Sequence, residues 1–468
     1  MSAPPPPDRS IAGTTAAIGA GELSAVGLAQ AYLDRIDAFD PALNVYRTVT
    51  RELALEQAAA VDEAAGAGRP LGPLAGVPIA LKDNIAVSGF EMTAGTRHRA
   101  GVVADEDAPV YERLRDAGAV LLGKLSMSEW AIGATNQNIH YGDVHNPWDI
   151  TRVSGGSSGG SGAAIGADLA AATLGTDTGG SVRIPAALNG CCGLRPTAGR
   201  VSNRGSIPVA WTFDTIGPLA RRAEDVAVML HVIAGYDHDD PVTVDAPVGD
   251  YAGGLGLGVR GLRVGVLRGW QDELDADLLA RLEAAAAQLE GLGAELVEAE
   301  LTGLDEAIEW TAELLLAEAA WVHRERLRDC PEIFADDVLQ RLRRGESISG
   351  AHYGRGREWQ RAWRRRVLDT LSGCDLLLVP SATRHAPTAA ESEPLAMTGV
   401  LARYTGVWVL SGTPALSVPI GFVDDMPVAM QLVGRPFEEG LLLRAAAVYQ
   451  SATDWHLRRP DSAGWRTS

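Results

Sequence analysis

The sequence predicts an α/β fold: a mixed central β-sheet flanked by α-helices on both faces. Two observations carry this. Short apolar runs suited to buried strands alternate with amphipathic helical stretches along the whole chain. The 468 residues are 46% apolar and 22% charged, the balance of an ordinary globular protein with a large core.

The elements follow in order. Residues 1–10 (MSAPPPPDRS) are proline-rich and lack an apolar leader core, so they read as a loose arm and not as a secretory signal. Residues 22–39 place Leu28, Tyr32 and Ile36 at helical spacing. A second helix is expected over 51–65. The run GVPIAL (76–81) reads as a buried strand that ends at Lys82-Asp83-Asn84. Then come a helix over 107–117, a strand over 119–123 and a short helix over 128–134. Further on, 222–234 reads as helix, LRVGVL (262–267) as strand and the Ala/Leu/Glu stretch 273–293 as helix. Several helices are expected within 303–372. Strands at 376–380, 415–422 and 428–434 follow, and a helix over 440–452 closes the chain.

Two Gly/Ser clusters, SGGSSGGSG (154–162) and GGS (179–181), interrupt this alternation. A Gly/Ser run can be a flexible linker. The second cluster, however, leads straight into the core-like VRIPAALNGCCGLRPT, which favours glycines that permit close backbone approach in a packed site.

Charge and composition exclude several functions. A net charge of −19 makes the chain a poor partner for nucleic acid or an anionic membrane. No run of 18 apolar residues is present to span a bilayer. Cys191, Cys192, Cys330 and Cys374 lack metal-site spacing and read as free thiols of a reducing cytoplasm. The nine histidines are scattered, so no metal and no cofactor is expected.

Three motifs fail on inspection. Gly118 to Lys124 matches a P-loop up to its lysine, but Leu125 stands where Ser or Thr would bind Mg²⁺. Gly155-Gly156-Ser157-Ser158-Gly159 satisfies the nucleophile-elbow pattern without an evident strand leading into the serine. The stretch RGREWQRAWRRR (355–366) puts Arg357, Arg361, Arg364 and Arg365 on one helical face, with Trp359 and Trp363 elsewhere. In so acidic a chain that is a solvated helix with an apolar underside.

Lys82, Ser157 and Ser181 make sense together. A lysine at the end of a buried strand is desolvated, loses its charge and can serve as a base near neutral pH. A serine after two glycines, at the start of a helix, sits among free backbone N–H groups, as an oxyanion hole requires. Ser-Lys hydrolytic arrangements exist as a class.

At these residues the sequence resembles the amidase signature family of Ser-cisSer-Lys hydrolases. The resemblance rests on GGSSGGSGAAIGADLAAATLGTDTGGSVRIPAALNGCCGLRPT (155–197), with GVPIALKDNI (76–85), GAVLLGKLSMSEWA (118–131), HNPWD (145–149), FDTIGPLAR (213–221), GTPALSVPIGF (412–422) and MQLVGRPFEEGLLLRAA (430–446). It implies an N-terminal arm over 1–20 and one domain over 21–460. The catalytic core would lie at about 70–225 and a more variable helical region at about 270–372. It also implies roles. Lys82 matches the base, Ser157 the serine after a cis peptide bond that bridges lysine and nucleophile, and Ser181 the nucleophile. The backbone N–H groups of Thr178, Gly179, Gly180 and Ser181 match the oxyanion hole. Ser158, Asp177 and Arg183 match the residues that hold these loops in register.

The resemblance leaves the substrate open. Bulky Trp211 and Phe213 stand where the glutamine-hydrolysing amidotransferase subunits of the family are smaller, and Trp408 lies in an apolar stretch before Gly412-Thr413-Pro414. Together with Ala131, Ile132 and Gly133 they suggest an apolar substrate pocket. The expectation is therefore a stand-alone hydrolase of apolar or aryl amides, extending to carbamates and esters. It would be a monomer or homodimer whose partners are its small-molecule substrate and water. The alternatives are a glutamine-hydrolysing amidotransferase subunit with partner subunits and, remotely, an inactive scaffold.

Overall fold

Among the residues described by the computed structural model (8–267, 269 and 274–465), eleven strands form one mixed sheet. From one edge to the other the order is Tyr46–Val49, Val120–Leu125, Pro78–Lys82, Ala172–Asp177, Thr215–Ala220, Cys192–Arg195, Ala415–Val423, Met426–Val433, Leu376–Pro380, Arg263–Leu267 and Glu295–Ala299. Pro78–Lys82 lies parallel to both of its neighbours, Val120–Leu125 and Ala172–Asp177. The strands from Ala172–Asp177 to Leu376–Pro380 pair antiparallel, and the last three are parallel again.

The period-2 pattern of the strands explains why helices cover both faces. Ile79, Leu81 and Leu121 join one apolar cluster with Leu230, Leu282, Leu442 and Tyr449. Ala80, Val120 and Leu122, the alternate residues, join another with Leu33, Ile36, Ala58 and Ala163. A third cluster covers the far half of the second face, where Trp363, Tyr404 and Trp408 pack on Leu377, Val379 and Val433. The inner strands bury side chains in both directions, which is why runs such as Pro78–Lys82, Val120–Leu125 and Leu376–Pro380 are apolar almost throughout.

The expected elements are present, with shifts at their ends. Helices span Ala25–Leu43, Arg51–Gly66, Pro109–Asp116, Ala223–Ile233 and Glu439–Ser451. The helix expected from 273 runs Ala276–Gly291, its expected first residue lying outside the described residues. The stretch 128–134 is only a three-residue 3-10 turn, Glu129–Ala131, with Trp130 and Ala131 in the left-handed region (φ 52° and 60°). Strand Asp149–Val153, absent from the sequence expectation, precedes the first Gly/Ser cluster, but it pairs with His145–Asn146 in a separate ribbon.

The arm is more ordered than its composition suggests. Its first seven residues lie outside the described residues, but Ile11–Gly19 is a helix that buries Ile11, Ala17 and Ile18. Ser10 caps it by accepting the Gly13 N–H at 3.2 Å, and Asp225 accepts the Ile11 N–H at 2.6 Å. The apolar spacing of this short segment is masked in sequence by the proline run before it. No helix among the described residues is long and apolar enough to cross a membrane. The four cysteines carry no disulfide.

Candidate active site

The site lies beyond the carboxyl ends of two parallel strands, where the chain must turn away and leaves backbone groups exposed. Pro78–Lys82 delivers Lys82, and its neighbour Ala172–Asp177 delivers Thr176 and Asp177. The Gly/Ser clusters supply the rest. Ser157 and Ser158 precede helix Gly159–Gly166, and Ser181 precedes helix Arg183–Asn189. Gly156–Ser157 is a cis peptide bond.

Lys82 is fully buried. Its Nζ lies 2.7 Å from Ser157 Oγ and 2.8 Å from Thr176 Oγ1. Burial lowers the ammonium to about 7, against the opposing pull of the Asp177 and Asp214 carboxylates. Near neutral pH a large fraction of Lys82 is therefore neutral and able to accept a proton. Ser158 N–H donates to the Ser181 carbonyl at 3.3 Å, which sets the two serine loops side by side. The hydroxyls of Ser157 and Ser181 form no hydrogen bond with each other, and Ser181 faces a cavity.

A buried carboxylate organises the second cluster. Asp177 accepts from Arg183 Nη2 (2.9 Å) and Nε (3.0 Å), from Arg195 Nη1 (3.2 Å), and from the N–H groups of Gly180 (3.0 Å) and Val182 (3.2 Å). Burial alone raises its pKa, but the charges of Arg183 and Arg195 outweigh that and hold it below the usual carboxylate range. Arg183 extends the network to Thr405 O (2.8 Å) and Gln431 Oε1 (2.6 Å). Asp177→Asn strands two buried guanidinium groups, so we expect a loss of about 3–5 kcal/mol in stability, read by denaturant unfolding. Gly180 is held at φ 131°, and a Cβ there would fall on Thr405 Oγ1, so only glycine fits.

The resemblance implies an oxyanion cradle built from the N–H groups of Thr178, Gly179, Gly180 and Ser181, and these are not equally free. The Gly180 N–H is engaged by Asp177. The N–H groups of Thr178, Gly179 and Ser181 remain as donors around the cavity that Thr178, Gly179 and Ser181 line.

That cavity is about 480 Å³. Ala131, Ile132 and Gly133 line it beside Ser181, with Ile184, Val209, Leu315 and Leu395. Glu129 holds the 129–133 turn in place by accepting the Ala335 N–H at 2.9 Å and by pairing with His140 at 2.9 Å. The aromatic residues expected in the pocket are elsewhere. Phe213 and Trp408 are buried in the core cluster under helix Gly350–Ser372. Trp211 is 41% exposed and borders a separate surface groove with Trp321 and Tyr353. Tertiary packing, which local composition does not encode, decides this.

Sequence reasoning missed the charged lining. Helix Asp336–Glu346 brings Arg341 and Arg344 to the cavity. Among the described lining residues these are the charged ones, and both are cationic. Arg341 is buried, held by Asp337 (2.9 Å), Pro394 O (2.6 Å) and Thr398 Oγ1 (2.8 Å). Arg344 is 60% exposed, stands at the rim and pairs with Glu313. Thr176, Arg195 and Asp214 were also missed as site residues. The first two stand inside the matched stretch 155–197.

Residues 27–443 match the family described as Amidase. A Halorhodospira halophila protein, named as the A-type subunit of glutamyl-tRNA(Gln) amidotransferase, is 42% identical over 480 aligned positions, covering 97% of this chain and 99% of that one. A structure described as part of an unexpected vestigial protein complex, bearing on the origins of an s-triazine catabolic enzyme, superposes with a TM-score of 0.91 at 33% identity, over 95% of this chain and 98% of that one. The native peptide amidase of Stenotrophomonas maltophilia superposes with a TM-score of 0.86 at 33% identity, over 95% and 97% of the two chains.

Proposed function

The chain belongs to the amidase family, and from that premise we propose that it hydrolyses the side-chain amide of glutamine as the A-type subunit of an amidotransferase, beside protein partners. One observation of the site carries the substrate: among the described residues lining the cavity of Ser181 the charged ones are two arginines, Arg341, already held by Asp337, Pro394 and Thr398, and the rim residue Arg344, which can exchange Glu313 for a substrate carboxylate. A guanidinium pairs with a carboxylate in forked geometry, so the cavity suits an amide that also bears a carboxylate. Glutamine is such a molecule, and the near-full-length relative at 42% identity bears the amidotransferase name.

This corrects the expectation of a stand-alone hydrolase of apolar amides, carbamates and esters. That reading took Trp211, Phe213 and Trp408 as pocket walls, and none of them lines the cavity. It also left out the arginines from a distant helix. The expectation of a small-molecule substrate as the sole partner of a monomer or homodimer falls with it, because the 42% relative is named as one subunit of a larger enzyme.

The proposed chemistry is a double proton relay. Neutral Lys82 takes the Ser157 proton as Ser157 takes that of Ser181. Ser181 Oγ attacks the amide carbon, and the free N–H groups of the cradle hold the oxyanion. Ser157 then returns a proton to the leaving nitrogen, which departs as ammonia. Water deacylates the glutamyl ester by the same relay and releases glutamate.

Ammonia release from L-glutamine tests this reading, with kcat and KM read separately. Arg344→Gln should raise KM about tenfold with kcat little changed, because it removes a charge-assisted contact made equally in ground and transition states. An unchanged KM for glutamine in both Arg344→Gln and Arg341→Met would remove the support for a carboxylate-bearing substrate.

A further inference from the structure

We propose that Asp214 is a positioning residue of the oxyanion cradle, acting through the hydroxyl of Thr178. Thr178 Oγ1 donates to Asp214 Oδ1 at 2.5 Å. The other carboxylate oxygen accepts the N–H groups of Val209 (2.9 Å) and Ala210 (3.2 Å). Thr178 and Val209 both line the cavity. One carboxylate thus ties the strand-end loop that carries the cradle to a second wall of the same cavity.

The clamp is itself fixed. Arg195 Nη2 donates to the Phe213 carbonyl at 2.7 Å, and Asn203 Nδ2 donates to the Asp214 carbonyl at 2.8 Å. Arg195 also grips Asp177, so the loop bearing Asp214 and the loop bearing Ser181 hang from one guanidinium. On its other side the cradle is tied by Thr405 Oγ1, which donates to the Gly179 carbonyl at 2.9 Å. The Thr178 bond is the matching tether on the Val209 side. A cradle works only if its N–H groups already point at the developing oxyanion.

Asp214 has a second effect, through its charge. The charged groups that face it are Lys82, Arg195 and Glu318. Together with Asp177 it stabilises the protonated form of Lys82. Removing its charge therefore lowers the pH at which Lys82 becomes a base. Burial raises the Asp214 carboxyl to about 6, and the Thr178 hydroxyl is the first of the groups that hold it down, so losing that hydroxyl raises Asp214 as well.

This inference rests on the acyl-enzyme reading of Ser181, and the test keeps the two apart. Thr178→Val, Thr178→Ser, Asp214→Asn and Ser181→Ala are compared with the wild type on L-glutamine and, in parallel, on 4-nitrophenyl acetate. The ester reports acylation of Ser181 whatever the natural amide is. Thr178→Val should lower kcat about 10²-fold, the usual effect of disturbing one cradle donor. Thr178→Ser should recover most of that loss. Asp214→Asn should lower kcat and also shift the acid limb to lower pH. The inference is overturned if Thr178→Val keeps kcat within threefold of wild type on the ester, or if the serine variant is as impaired as the valine one. It is also overturned if a folded Asp214→Asn keeps the wild-type limb. Should Asp214→Asn fail to fold, the threonine pair decides. Activity retained by Ser181→Ala overturns the acyl-enzyme reading instead.

Discussion

Ser181→Ala should lower kcat by about 10⁴-fold or more, with the circular dichroism and melting behaviour of the wild type. The expectation follows from the division of labour in the site. Of the two serines in the relay, Ser181 is the one that lines the cavity, next to Thr178 and Gly179. Ser157 is fully buried against Lys82, so it cannot reach a carbonyl bound in the cavity. The hydroxyl removed does not hold the loop, which is fixed by Asp177 and its arginines and by the backbone bond from Ser158. Binding should survive, because the arginines are untouched. A variant that keeps a tenth of wild-type turnover would show that another group is the nucleophile.

Lys82→Ala should be almost as damaging, by about 10³–10⁴-fold, since general base catalysis and the orientation of Ser157 disappear together. The same residue sets the pH dependence. Burial brings Lys82 to about 7, and the neutral amine is the active form. Activity should therefore rise as pH increases through about 7 and level off above it. A profile flat between pH 6 and 9, measured where chemistry limits the rate, would contradict this assignment. Lys82→Met, which keeps the apolar stem, should restore stability lost in the alanine variant but not activity.

The legible part of this molecule is its local part. Lys82 could be found because a lysine closing the apolar run GVPIAL has few structural reasons to be there. Ser157 and Ser181 could be found because glycine clusters of that density, next to core-like sequence, mark close approach of backbone. Six of the eleven sheet strands were legible as apolar runs; Tyr46–Val49, Ala172–Asp177, Cys192–Arg195, Thr215–Ala220 and Glu295–Ala299 were not, being short, rich in small or polar residues, or at a sheet edge. The cavity was not legible. Arg341 lies far from Ser181 in sequence and reaches the site only through the packing of helix Asp336–Glu346. In sequence it is one arginine among several on a charged helix. Trp408 misled for the opposite reason: its apolar stretch is real, but the stretch serves the core beneath Trp363, not the substrate. The helix Ile11–Gly19 was lost behind prolines. Gly180 shows a finer limit. The resemblance puts its N–H in the expected cradle, yet that N–H donates to Asp177, a contact set by the fold and not by local sequence.

The central claim is that Ser181 takes an acyl group from glutamine. Acid quenching of the enzyme during turnover of L-glutamine, followed by peptide mapping by mass spectrometry, tests it most directly. The account predicts a γ-glutamyl ester on the peptide carrying Ser181, absent from Ser181→Ala. An adduct on any other residue, or acylation of Ser181 by an anilide or aryl carbamate but not by glutamine, would contradict it.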